Sequence, residues 1–295
     1  MSAPVQYMAA VTERYRSLGY EPYRWFRADA PPPWQRLRKP LGEARIGLLS
    51  TAGAYALGQV AFHYKDDSSI REIPASTPDA DIRFAHVTEN YLVDPRRDPG
   101  CVFPLQSLHA LAAQGLIGEV ASSVFSCMGG IYSQRRSREE LAPALLAAFR
   151  AQRVEAVLLV PMCPVCHQSA CIIARHLEAN GISTACLGSA LDILQSGQPP
   201  RATFVDYPLG HTAGKPFDRA DQLDVVRNGL LALVTMARPG EIAKLPNAWD
   251  ASGEWRKEAE RTRGADTRRP RDTTQQFQLE ADREAARASG ALAGG

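Results

Sequence analysis

The stretch Ala156-Val157-Leu158-Leu159-Val160-Pro161-Met162-Cys163-Pro164-Val165-Cys166-His167-Gln168-Ser169-Ala170-Cys171 decides the fold and carries the chemistry. Its first five residues form a short, unbroken apolar run, the pattern of a strand covered on both faces of a parallel sheet. Ile172 to Asn180 continue as a helix that stops at Gly181. Proline favours the first helical position, so Pro164 makes Cys163 the N-cap and puts Cys166 at the third helical position. Both thiols then face the helix N-terminus. Unpaired amides and the positive end of the macrodipole stabilise an anion there, which lowers a thiol pKa from about 8.5 toward about 3.5 to 7.5.

Three readings fit this segment. It is a reactive or redox dithiol, a metal site in which Cys163 and Cys166 are joined by His167, Cys171 or His86, or a set of inert buried cysteines. The remaining cysteines, Cys101, Cys127 and Cys186, are scattered singly, so the second ligand pair of a structural zinc site is missing. Cys186 lies in Gly181 to Leu187, which looks like the next buried strand, and reads there as a small apolar filler.

Working outward, short apolar runs alternate with helical segments from Arg45 to about Gly240, which predicts an α/β fold with a mainly parallel sheet and helices on both faces. Strands are expected near residues 45–50, 120–126, 154–160, 183–187 and 201–205. Helices are expected near 105–114, 138–152, 164–180, 189–196 and 220–236. Before this region, residues 1–44 hold a helix over about 2–18 and an aromatic, proline-rich arm expected to wrap the core. Residues 45–248 form the catalytic α/β domain. After it, 249–295 is a charged tail, flexible or helical, in which 254–261 and 279–284 suit solvated helices and the 262–272 linker is too polar to fold alone. The polar stretch from His63 to Pro104 is long enough to be an excursion packed over a site.

In a parallel sheet of this kind ligands bind beyond the carboxyl ends of the strands. That rule selects Ser50, Thr51 and Gly53 after the first strand, Cys127, Gly129 and Gly130 after the second, Cys163 to His167 after the third, and the loop with His211 after the fifth. Hydroxyls and glycine amides there suit a carboxylate or an oxyanion, although ordinary tight turns would use the same residues. Gly210 to Lys215 is not a phosphate loop, since its glycines are too closely spaced and Pro216 stands where a Ser or Thr would hold magnesium. No G-x-G-x-x-G follows a strand, so a nicotinamide cofactor is unsupported.

Composition narrows the partners. With 45% apolar and 22% charged residues, this is the make-up of a globular protein. A net charge of +2, with both signs interspersed, gives no footprint for nucleic acid or an anionic membrane. No apolar run nears the roughly 20 residues that span a bilayer, and the N-terminus lacks a signal-peptide pattern, so a cytoplasmic location is expected. Six cysteines in a reducing compartment are more often free, catalytic or metal-bound than paired as staples.

Several further pieces stand in order along the chain: Pro22-Tyr23-Arg24-Trp25, Lys39-Pro40-Leu41, Leu48 to Gly53, Asp67 to Pro74, Val102-Phe103-Pro104-Leu105, the Cys163 to His167 core and Pro208-Leu209-Gly210-His211. Together they resemble the glycine, sarcosine, betaine and D-proline reductase family, on the side of the selenoprotein B components and their cysteine-containing relatives. The resemblance implies that a selenol or thiol displaces a substituent from the carbon next to a carboxylate, with a companion subunit's pyruvoyl group activating an amine substrate. This chain contains no selenocysteine and no recognisable pyruvoyl precursor.

The expected function is therefore thiol-dependent reductive cleavage of a small carboxylate-bearing, amino-acid-like substrate. Cys163 attacks, Cys166 resolves, and His167 moves the proton. Asp67 and His86 from the excursion join the binding residues, with Asp67 equally readable as a turn residue. An external dithiol or a thioredoxin-like protein is the expected electron donor, no cofactor is marked by a motif, and zinc is the metal if the thiols hold one. The expected partners are the small substrate and a companion subunit or redox protein, with a homo-oligomer left open. The alternatives are a racemase-like isomerase in which Cys127 faces Cys163 across a cleft, and a non-enzymatic metal-binding or redox-sensing dithiol protein.

Overall fold

The computed structural model of the protein describes residues 3–261 and 269–292. Its strands are β1 (Arg45–Ser50), β2 (Ala54–Ala56), β3 (Ile70–Pro74), β4 (Ile82–Phe84), β5 (Glu119–Val120), β6 (Ser123–Cys127), β7 (Ala156–Val160), β8 (Ser183–Gly188), β9 (Arg201–Asp206) and β10 (Glu241–Ala248). Its helices are α1 (Tyr7–Ser17), α2 (Leu105–Ala113), α3 (Gln134–Arg136), α4 (Ala142–Ala151), α5 (Pro164–Ala179), α6 (Leu191–Gly197), α7 (Arg219–Thr235), α8 (Trp255–Ala259) and α9 (Glu280–Ala288).

The main sheet runs β10-β9-β8-β7-β1-β6-β3, with β5 pairing the start of β1 on the side where β6 pairs its end. All neighbours are parallel except the edge pair β3 and β6. Counting β1, β6, β7, β8 and β9 as five successive strands, the spatial order is 2-1-3-4-5, a doubly wound arrangement. The chain changes direction across the sheet between β6 and β7, so the crevice lies above the carboxyl ends of β1 and β7.

The apolar runs form strands here because both sheet faces are covered. Ile46, Leu48, Leu158, Val160, Ala185 and Leu187 point to the face packed by α2 and α7. Their alternates Leu49, Val157, Leu159 and Cys186 point to the face packed by α4, α5 and α6. Cys186 is thus one more small apolar side chain in that layer. The first four crossovers share one hand, which for parallel strands is overwhelmingly right-handed. The fifth, β9-α7-β10, returns to the face of α2 while the sheet keeps growing the same way, so it has the rare opposite hand.

The excursion between β1 and α2 is more ordered than a loop. It contributes β3 to the sheet edge and a separate antiparallel pair, β2 with β4. The helix before β7 starts at Gln134, ahead of the expected position, and passes through a π-helical turn at Ser137–Leu141 before continuing as α4. The N-terminal arm does wrap the core. Gln35 donates its amide to Glu178, which is ion-paired with Arg201, and the Arg201 guanidinium lies 3.5 Å from the Trp34 ring.

Of the two readings of the tail, flexible or helical, the helical one holds at α8 and α9, and residues 269–292 are docked on the domain. Asp282 and Ala286 of α9 are buried, Asp282 accepts from Arg83 at 3.0 Å, and Gln276 donates its amide to Phe62. The polar sequence conceals this docking because few of its residues take part. Of the expected 262–272 linker, 262–268 lies outside the described residues. No helix among the described residues is long and apolar enough to cross a membrane.

Candidate active site

The Val160 to Cys166 turn carries the chain from β7 into α5, over the crevice between β1 and β7. Cys163 is the N-cap, with its sulfur accepting from the Cys166 amide at 3.2 Å, and Pro164 opens the helix. The Cys163 and Cys166 sulfurs are 2.7 Å apart. Cys163 is 1% exposed and Cys166 0%, so both are shielded from solvent in this conformation.

The imidazole at this dithiol is His86, from the excursion. Its Nε2 is 3.2 Å from the Cys166 sulfur. The Thr88 amide donates to its Nδ1 at 3.1 Å, and the Thr88 hydroxyl lies 2.7 Å from the same nitrogen. An Nδ1 that accepts an N–H bond leaves the ring proton on Nε2, aimed at Cys166. Burial alone would push the Cys166 thiol up. The hydrogen bond from the Cys163 thiol, and the attraction and hydrogen bond of His86, outweigh it and hold Cys166 well below the ordinary thiol range. Burial, then the hydrogen bond and charge of Cys166, push Cys163 well above that range. The surroundings thus favour the ionised form at Cys166 and the protonated form at Cys163.

His167 is engaged elsewhere. Its Nδ1 lies 2.7 Å from the Cys163 carbonyl oxygen, and its Nε2 accepts from the Ser189 amide at 2.9 Å. Both ring nitrogens are spent on backbone, and burial pushes its pKa down to about 4. It ties the first turn of α5 to the end of β8 as a neutral imidazole, with no nitrogen free to move a proton for a thiol.

The loop after β1 supplies the floor. The Thr51 carbonyl lies 3.4 Å from the Cys166 sulfur and also accepts from the Gly129 amide at 3.0 Å, while the buried Thr51 hydroxyl has no partner. Ser50 is occupied, donating to the Val102 carbonyl at 2.8 Å. Gly53 has a φ of +69° and sits so near the Ala85 carbonyl that an added Cβ would lie 2.0 Å from its oxygen. That contact pins the chain one residue before His86. A Cβ on Gly129 would meet Thr51 Cβ at 2.5 Å, and one on Gly130 would meet the His86 ring at 3.1 Å. The glycines therefore admit neighbouring protein groups, and the Gly129 amide is already taken.

The other expected residues lie apart from the thiols. Asp67 accepts from the amides of His63 and Ser69, as a turn residue does. His211 contacts Asp94 at 3.0 Å and packs on Trp249, although its loop touches the site through the Gly210 amide, which donates to the Met162 carbonyl. Cys127 faces the core layer opposite that of Cys163, so no cleft separates the two. Cys171 is in that same opposite layer, where burial pushes its thiol up to about 12. Of the three residues expected to join Cys163 and Cys166 at a metal, His86 is the one within reach, while His167 and Cys171 are not part of the group. The three groups with ligand atoms all within 4.8 Å of one another are His86, Cys163 and Cys166.

Sequence reasoning missed Thr88, Tyr91 and Tyr23. The Thr88 hydroxyl also bonds Cys163. The hydroxyls of Tyr91 and Tyr23 are pushed up by burial, with the nearby Cys163 adding to the effect in each. Tyr23 had a signal, since it belongs to the Pro22 to Trp25 piece of the resemblance. Thr88 and Tyr91 had none beyond their place in the excursion.

A dithiol and an imidazole buried at the crevice of a doubly wound sheet define an α/β protein with a thiol–imidazole centre. Comparison with known proteins places it more closely. Over 216 residues the chain is 30% identical to the gamma subunit of D-proline reductase from Acetoanaerobium sticklandii, covering 73% of this chain and 89% of that subunit. The chain belongs to the proline and glycine reductase family. No family model and no solved structure matches it.

Proposed function

We propose that this chain is the thiol-bearing subunit of a reductase that removes a substituent from the carbon beside a carboxylate in a small amino-acid-like substrate. D-proline, named for the relative, is the first compound to test. The observation that carries the proposal is the cluster itself, with Cys163 and Cys166 sulfurs 2.7 Å apart and His86 Nε2 3.2 Å from Cys166. The His86 hydrogen bond also supports an order of events opposite to that expected from helix position. Cys166, which holds the negative charge, attacks, and Cys163 resolves.

The thiolate of Cys166 displaces the substituent X from R–X, forming an S–C bond, and X leaves with the bonding electron pair and a proton. Cys163 sulfur then attacks Cys166 sulfur. The disulfide forms as Cys163 gives up its proton, the substrate carbon departs with the S–C pair and takes up that proton, and the proton on X is the one Cys166 lost to solvent on ionising. The sum is R–X plus two thiols giving R–H, HX and one disulfide, so the substrate gains the two electrons the cysteines lose. In proline the substituent on that carbon is the ring nitrogen, so displacement opens the ring. An external dithiol or a thioredoxin-like protein restores the thiols, and a companion subunit, in keeping with the relative's being a subunit, activates the substrate.

The test is a single turnover of the reduced chain with its companion subunit and D-proline. Ring-opened product should appear in step with a Cys163 to Cys166 disulfide, and Cys166→Ser should abolish both. Product formed at the wild-type rate by the Cys163→Ser, Cys166→Ser double variant would refute the dithiol mechanism. α-Hydrogen exchange with deuterated solvent in the absence of reductant would instead revive the isomerase reading.

A second reading rests on the same three residues as soft-metal ligands, with zinc the natural occupant. Among the described residues no fourth Cys, His, Asp or Glu joins the group, which is the open coordination of a reactive rather than a structural zinc site. Stoichiometric zinc in freshly purified protein, lost in His86→Leu, would favour it.

A further inference from the structure

A cavity of about 490 Å³ opens between the N-terminal arm, the chain just after Gly130 and the tail at Arg269, lined among the described residues by Tyr15, Tyr20, Glu21, Tyr132, Arg269, Pro270 and Arg271. That volume suits a small molecule. Charged groups of both signs line it. Arg269 lies 3.6 Å from Glu89, and Arg271 pairs with Asp66 at 2.9 Å while lying 3.9 Å from the Tyr132 ring. Glu21 has no ion-pair partner among the described residues.

Tyr23 connects the wall of this cavity to the helix that carries the dithiol. The Tyr23 ring packs edge-on against Tyr132 and Tyr15, at 5.4 Å and 6.4 Å between centroids. Its hydroxyl accepts from Gln168 at 2.8 Å, and Gln168 sits two residues beyond Cys166 on the buried face of α5. Burial and then the neighbouring Cys163 both disfavour an ionised Tyr23. Since the thiols are fully shielded in this conformation, something must move before a substrate reaches them.

Resting on the dithiol reading above, we propose that this cavity is the antechamber through which the amino-acid-like substrate reaches Cys166, with Arg269 and Arg271 receiving its carboxylate, Glu21 its cationic nitrogen, and Tyr23 acting as the gate. A carboxylate attracts the cationic nitrogen and guanidinium groups the carboxylate, so the substrate arrives oriented.

Iodoacetate and iodoacetamide test this without knowledge of the substrate. In both, a thiolate displaces iodide from the carbon beside a carbonyl group, forming S–C and breaking C–I, but only iodoacetate is a carboxylate. Labelling of Cys163 and Cys166 is followed by peptide mapping. In the wild type, the rate ratio of iodoacetate to iodoacetamide should exceed that for free glutathione and fall as salt is raised. Arg269→Met and Arg271→Met together should lower it roughly two- to five-fold, as loss of partly exposed charge contacts does. Tyr23→Ala should speed both reagents. Buried Cys127 and Cys186 must stay unlabelled, which reports that each variant is folded. Should Arg271→Met fail this check, the exposed Arg269→Met alone should still lower the ratio. Labelled thiols with a ratio unchanged in these variants would overturn the antechamber and leave the dithiol standing. Thiols that neither reagent labels before unfolding would overturn both.

Discussion

His86 and His167 lie on two sides of one helix start, and their hydrogen bonds give them different chemistry. The proton of His86 points at a sulfur. That of His167 is held by a carbonyl, and its other nitrogen by an amide. Removing the first should change reactivity. In the wild type, alkylation of Cys166 should persist well below the ordinary thiol range, because its pKa is depressed. In His86→Leu, where the hydrogen bond from Cys163 remains, the fall of about ten-fold per pH unit should begin at a higher pH than in the wild type. Identical pH profiles by mass-mapped labelling would contradict the role given to His86. Removing the second should change acid stability. A histidine whose folded pKa is about 4 binds its proton in the unfolded chain first, so stability is present above roughly 6.5 and is lost as pH falls toward 4. At about 1.4 kcal/mol per unit, that amounts to about 3 kcal/mol. His167→Gln should be less stable than wild type at neutral pH yet lose less on acidification, measured by urea unfolding at pH 7 and pH 4.5. Equal losses in both proteins would show that the ring does not titrate as argued.

At the scale of elements, the readable parts were those whose reason is local. β1 falls on the expected residues, β7, β8 and β9 come within two residues of them, and α5 begins at Pro164 because proline and an N-cap residue mark that start. β3 and β10 were missed for an equally physical reason. Both are edge strands, Ile70–Pro74 and Glu241–Ala248, mixing charge and proline into half-exposed runs that show neither a buried strand's continuity nor a clean alternation. The site divides in the same way. Cys163 and Cys166 were legible as a helix start and His86 as a candidate ligand or binding residue, whereas its hydrogen bond to Cys166 joins residues 80 apart in sequence, a distance no local pattern spans. What sets that meeting is the approach of Gly53 to Ala85. Gly53→Ala would force a side chain into a left-handed φ and against a carbonyl, costing at least about 1 to 2 kcal/mol. It should lower the melting temperature and also shift the Cys166 alkylation profile toward that of His86→Leu. A profile that stays depressed would mean that His86 is held by something other than this contact.

Across the whole molecule, the dithiol is enclosed by segments far apart in the chain: the arm through Tyr23, the excursion through His86 and Tyr91, and the loop of Gly210. The tail grips the second of these. Gln278 accepts from the Phe84 amide at 2.9 Å, His63 pairs with Gln275, and Asp282 accepts from Arg83 at 3.0 Å and from the Tyr55 hydroxyl at 3.3 Å. These contacts flank the residues that lead directly into Ala85 and His86, so the tail steadies the imidazole without touching it. Asp282 is the point to cut, because it is almost wholly buried and its loss strands a guanidinium and a hydroxyl together. Arg83 keeps the carbonyls of Ala80 and Ile82 as acceptors, so the cost stays below that of a fully buried broken pair, at about 2 kcal/mol. Asp282→Ala should therefore lower the melting temperature and, more tellingly, speed amide hydrogen exchange across residues 82–88 while leaving β7 and β8 protected. Because exchange reads local opening, the two regions part company only if the tail acts on the excursion and not on the core. Uniformly faster exchange throughout the sheet, or unchanged protection over 82–88, would mean that the tail contributes only to global stability.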